Sequence, residues 1–70
     1  MDTRLAKIKG DLIGQMIEVQ GLKRWWVAEV SGIHPTTLRR WLRGKNEKVQ
    51  LVKLQRLSQV LEVSLSELID

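Results

Sequence analysis

Between Lys23 and Lys48 the sequence places seven Lys/Arg residues against only Glu29 and Glu47, whereas residues 1–22 are electrically neutral and residues 49–70 carry one net negative charge. Arg24 opens this stretch, Arg39, Arg40 and Arg43 recur at helical spacing within it, and Lys45 and Lys48 close it. A guanidinium presents five donors in a fixed fork, so several of them together suit phosphates or the O6/N7 edge of guanine. A charge concentrated in one third of the chain fits a polyanionic partner better than the overall +4 would by itself.

Other chemistries are poorly served. His34 is the only histidine and cysteine is absent, so thiolate metal sites and disulfides are excluded and a single imidazole cannot build a metal site. There is no tyrosine, no pair of carboxylates at helical spacing on a cleft, and no glycine loop to cradle a phosphate. The chain is therefore expected to be no enzyme and to need no cofactor. No apolar run approaches the roughly 20 residues that span a bilayer. The first residues alternate charge with single apolar side chains, unlike a secretory signal. A cytoplasmic location is the expectation.

Seventy residues make one domain, 1–70, and a chain of this size buries only about 60% of its unfolded surface. The basic residues must therefore be held by short elements around a modest core. Leu5, Ile8, Leu12, Ile13, Met16 and Ile17 recur at spacings of three and four and predict a first amphipathic helix ending at Gly21. Gly10 and Gly14 weaken it by roughly 1 kcal/mol each relative to alanine. A second helix is predicted from about Lys23 to Ser31, stopping at Gly32. His34 then stands at an N-cap position with Pro35 at the first helical position, and Leu38, Trp41 and Leu42 supply the apolar face of a third helix closed by Gly44. Val49, Leu51, Val52, Leu54, Leu57, Val60 and Leu61 predict a fourth, and Ser64-Leu65-Ser66-Glu67 reads as a capping box opening a short fifth. No stretch alternates with period two for long, so the expected class is all-α.

Two short helices joined at Gly32-Ile33 form a helix-turn-helix, here residues 23–44, if the turn is tight. Ala28, Gly32, Ile33, Leu38 and Trp41 occupy the positions where that motif wants a small residue, a turn glycine and three core contacts. With a helix before it, a Gly-Lys loop after it, and Val63-Ser64-Leu65-Ser66-Glu67-Leu68 near the end, residues 11–69 resemble the phage Cro/repressor (Xre-type) DNA-binding domain. Val27-Ala28-Glu29 with Thr37 to Trp41 also looks like lac-repressor headpieces and mercury-resistance-type regulators. Those open almost directly on the motif, whereas a full helix precedes it here. Residues 1–10 form an N-terminal extension outside the resemblance.

The resemblance implies a compact five-helix, lambda-repressor-like fold and a sequence-specific regulator of transcription, in the main a repressor. Its recognition helix, about residues 35–43, would lie in the major groove of double-stranded DNA, and homodimers would bind paired half-sites. Base readout falls on Pro35, Thr36, Arg39 and Arg40. Phosphate contacts fall on Arg24, His34, Thr37, Arg43, Lys45, Asn46 and Lys48. Ile17 and Leu42 stand where the family often pairs Arg with Glu, and their joint apolar character predicts that they pack together. Lys23 replaces the usual Ser/Thr cap, and Glu62 stands where glycine is common. Trp26 and Val30 form an apolar stripe to one side of the second helix's buried face, at positions the family usually keeps polar. Either the N-terminal segment covers that stripe through Leu5 and Ile8, or it meets a second protein. Trp26, Val30, Leu65, Leu68 and Ile69 are accordingly the expected partner or dimer surface. An antitoxin or antirepressor using the Trp26–Val30 stripe is the alternative reading, and Trp25 is a weaker candidate for packing against sugar-phosphate.

Overall fold

The computed structural model describes residues 4–43 and 48–70. Four α-helices, α1 (Gly10–Val19), α2 (Arg24–Ser31), α3 (Pro35–Leu42) and α4 (Leu51–Leu61), pack around one core. Two short strands, β1 (Leu5–Lys7) and β2 (Lys48–Gln50), flank them, and one 3₁₀ turn spans Leu65–Glu67. The core joins Ile13 and Ile17 of α1, Val27 and Ala28 of α2, Leu38 and Trp41 of α3, and Leu54, Leu57 and Leu61 of α4. Ile8, Ile33, Val49 and Leu68 complete it from the connecting segments.

Two departures from the expected all-α, five-helix layout share a cause. Leu5 and Ile8 do not extend α1; β1 pairs antiparallel with β2 in the register Leu5 to Gln50, Ala6 to Val49 and Lys7 to Lys48. Val49 accordingly belongs to β2 and not to α4. The other edge of the N-terminal segment meets the C-terminal one: Ile8 bridges Ile69, Lys9 N–H donates to Leu68 O at 3.0 Å, and Asp70 N–H donates to Lys7 O at 2.9 Å. Ser64 and Glu67 do form the expected capping box, with Ser64 N–H donating to a Glu67 carboxylate oxygen at 3.0 Å. It opens a single 3₁₀ turn in place of a fifth α-helix. Leu68 enters the core and Ile69 bridges Ile8 beside β1, which ends the helical path. Leu5 lies 58% exposed while Ile8 is buried, so their spacing of three is coincidental and the working period there is two.

The helix ends follow one pattern. Leu22 N–H donates to Ile17 O, Ile33 N–H to Ala28 O and Val63 N–H to Ser58 O, each bond spanning five residues as in a Schellman motif. The left-handed residue this motif needs is Gly21 after α1, Gly32 after α2 and Glu62 after α4, the last at φ 57°. Gln20 ties two of these ends together, its side-chain amide donating to Leu61 O at 2.8 Å.

Two substitutions test this description. Glu62→Gly removes the Cβ strain of a left-handed non-glycine residue and should raise stability by about 0.5–1 kcal/mol, read as a higher urea midpoint at unchanged slope. Ser31 is fully buried and its hydroxyl has no hydrogen-bond partner. Ser31→Ala should therefore be neutral or stabilising, by up to about 1 kcal/mol; a loss of that size would show that the hydroxyl is satisfied after all.

Candidate nucleic-acid interface

The interface begins with the turn that sets α3 against α2. Gly32 adopts φ 70°, ψ 28°, a left-handed conformation that favours glycine, and a Cβ there would meet only the end of the exposed Arg56 side chain, at 2.9 Å from Nη1. Ala28 is fully buried and Ile33 nearly so, as the motif demands. His34 caps α3 as expected: its Nδ1 accepts from Thr36 N–H at 3.1 Å, and Pro35 follows at the first helical position, where its missing N–H is not required.

Burial along α3 divides its residues by role. Leu38 and Trp41 are buried, and Thr37 and Leu42 are half-buried. Pro35, Thr36, Arg39 and Arg40 remain exposed, with Arg43 beyond them. The four expected base-reading residues thus share one solvent-facing surface. Leu42 meets α1, its Cδ2 lying 3.9 Å from where a Cβ on Gly14 would sit, one turn before the buried Ile17. Apolar packing joins α1 to α3 here.

Two clefts border α3. Arg24, Trp25, Pro35, Leu38 and Arg39 line one of about 210 Å³, which brings the N-terminus of α2 beside the N-terminal half of α3. Lys23 precedes α2 in extended conformation and makes no side-chain cap. The first N–H groups of α2 therefore have no side-chain acceptor from Lys23 and face the same end as Arg24, an arrangement suited to a phosphate. Trp25, 59% exposed, stands in this cleft. The second cleft, about 160 Å³, runs along the other flank of α3 between Thr37, Arg40 and the ribbon residues Leu5, Lys48 and Gln50, with Lys53 of α4. Lys48 is thus a strand residue and not a loop residue. Lys45 and Asn46, and the helix-closing Gly44, lie outside the described residues. Leu5, Lys53 and Gln50 were missed by sequence reasoning. The alternation Leu5-Ala6-Lys7-Ile8 was the available sign of a strand, but it is too short to compete with the helical spacing around it.

The partner-surface residues separate. Leu68 is fully buried and belongs to the core, which corrects its assignment to a surface. Leu65 and Ile69 are half-buried and pack against that core. Trp26 and Val30 remain 40% and 46% exposed. The expectation that Leu5 and Ile8 cover them fails, because those residues are committed to β2 and Ile69.

A buried small residue, a left-handed glycine and a capped second helix with an exposed basic face define a helix-turn-helix DNA-binding fold. The chain belongs to the Cro/C1-type helix-turn-helix DNA-binding domain family, whose model matches residues 13–70. Among solved structures, it is similar to the N-terminal DNA-binding domain of the master biofilm regulator SinR from Bacillus subtilis, with 28% identity over 87% of this chain and 88% of that one, and a TM-score of 0.74. SinR in complex with DNA gives 26% identity over 81% and 90% of the two chains, with a TM-score of 0.75. The restriction-modification controller protein C.AhdI from Aeromonas hydrophila shares the fold, with 24% identity over 83% and 86% and a TM-score of 0.74. No curated protein matches the sequence significantly.

The α1–α3 contact carries a direct test. Leu42→Glu places a carboxylate in a half-buried apolar contact where α1 offers no cation beside Gly14. It should cost about 1–3 kcal/mol in denaturant unfolding, and a loss under about 0.5 kcal/mol would refute the packing role.

Proposed function

We propose that the protein is a sequence-specific, double-stranded-DNA-binding regulator of transcription, acting as a repressor, with α3 in the major groove. The observation that carries this reading is the single exposed surface formed by Pro35, Thr36, Arg39 and Arg40 on a helix whose opposite side, Leu38 and Trp41, is locked into the core. In this assignment Arg40 takes a guanine edge bidentately, and Thr36 offers its methyl to thymine or its hydroxyl to a phosphate. Arg24 and the N-terminus of α2 hold a phosphate on one side, with Trp25 packed along the sugar-phosphate. His34, Thr37, Arg43, Lys45, Asn46 and Lys48 hold others. The family membership and the likeness to SinR, a regulator solved on DNA, support the reading. Two copies would bind paired half-sites as a homodimer, in the cytoplasm. Among the described residues no helix is long and apolar enough to cross a membrane.

One observation favours a second reading, in which the fold serves as a protein-interaction module of antitoxin or antirepressor type. Trp26 and Val30 stay exposed side by side on α2. Binding to a random duplex pool across a salt series separates the two. A steep salt dependence with a recoverable consensus supports the regulator, and no binding at low salt supports the interaction module.

Within the first reading, Arg40→Ala should relax preference at one base pair, by about 1–3 kcal/mol of discrimination in site selection. Arg24→Ala should weaken all sequences alike and lower the slope of log affinity against log salt by about one unit.

A further inference from the structure

We propose that the ribbon formed by β1 and β2 is a second DNA-backbone contact, in which Lys7 with Lys48 and Lys53 holds a phosphate beside the groove that α3 reads. This rests on the DNA-binding reading and adds to it an element outside the span matched by the family, since β1 precedes residue 13.

The ribbon's register carries the inference. Lys7 and Lys48 are directly opposed across the two strands, and residues so paired point to the same face with Cβ atoms about 4.5–5.5 Å apart. Like charges directly opposed destabilise a strand pair, so stability alone gives no reason for this pairing. Ala6 and Val49 supply the inward face, half-buried and buried respectively, which leaves Leu5, Lys7, Lys48 and Gln50 on the outward one. Leu5, Lys48 and Gln50 of that outward face line the cleft shared with Thr37 and Arg40 of α3 and with Lys53, and Lys7, opposite Lys48 in the register, lies on the same face. Lys48 of the ribbon and the base-reading helix therefore line one space, with Lys7 paired beside it. Leu51 N–H to Arg4 O at 3.0 Å continues the ladder between the two strands, and Asp70 N–H to Lys7 O at 2.9 Å holds the outer edge of β1, so Lys7 is carried by fixed backbone. The Ile8–Ile69 bridge, continued by one step, also sets Asp70 next to Lys7. A carboxylate at that position would compete with a phosphate for Lys7.

Two variants of the full chain test the proposal on a random-sequence duplex, where backbone contacts dominate binding. Lys7→Gln should weaken binding severalfold at low salt and reduce the salt slope by about one unit, with the thermal unfolding midpoint holding as the control for folding. Asp70→Asn should act in the opposite sense and tighten binding. A wild-type slope in Lys7→Gln, or weaker binding by Asp70→Asn, would overturn the ribbon contact while Arg24→Ala still lowered the slope. If the unaltered chain fails to bind duplex at low salt, the DNA-binding reading itself falls.

Discussion

The bond from Ile33 N–H to Ala28 O, 2.8 Å across a left-handed glycine, governs the rest of the molecule. It stops α2 after eight residues and turns the chain so sharply that α3 must start within three residues and cross close above Ala28. Ala28 is fully buried beside that turn, and α2 also packs on α4, whose Arg56 reaches Gly32 with the end of its side chain. The angle between the two helices is therefore set by packing on several sides, and the exposed face of α3 is fixed relative to the N-terminus of α2. An interface that matches the spacing of phosphates and base edges depends on that fixity, because an anchor that drifts by an ångström loses bidentate geometry.

A domain this small has little core to hold a recognition helix steady, and the N-terminal extension adds to it. Residues 4–9 pair with β2 on one side and meet the C-terminal residues through the Ile8–Ile69 bridge on the other, so both ends of the described chain are joined there. Ile8, Val49 and Leu68 go into the core from that junction, and none belongs to an α-helix. The extension thus contributes apolar burial beneath α3 while its alternate residues carry lysine to the surface. Burial and charge coexist there because the strand period separates them onto two faces.

The sequence disclosed those features whose causes are local. Gly32, the His34 cap and Pro35 are read correctly because a left-handed turn and a helix start each depend on one or two residues in a row. The buried faces of α1, α3 and α4 emerge from spacing, since a helix brings residues three and four apart together whatever the remainder of the chain does. Strand pairing has no such local cause. Leu5-Ala6-Lys7 becomes a strand only because Lys48-Val49-Gln50, some forty residues on, offers a matching edge, and neither triplet is long enough to show its period. The same non-local contact shortened the expected fifth helix, although its capping box formed. Within the candidate site, the residues of α2 and α3 were accordingly legible, and Lys7, Gln50 and Lys53 were not.

The amount of sequence information available to one copy also bears on how such a protein works. The exposed residues of α3 are Pro35, Thr36, Arg39 and Arg40, which the proposed assignment turns to the groove, and proline has no side-chain hydrogen-bonding group. At about 1–3 kcal/mol per good bidentate contact, one copy falls short of, or barely reaches, the roughly 4–10 kcal/mol that separates specific from non-specific binding. Two copies on paired half-sites double the base contacts and bring that range within reach. The proposed phosphate contacts from α2 and from the ribbon would not supply the deficit, because backbone contacts favour every sequence equally. What they would supply is register: a grip on the backbone at both flanks of α3 would limit how the helix can tilt or slide in the groove, so that its few base contacts would be made at full geometry on the right site and lost together on a wrong one.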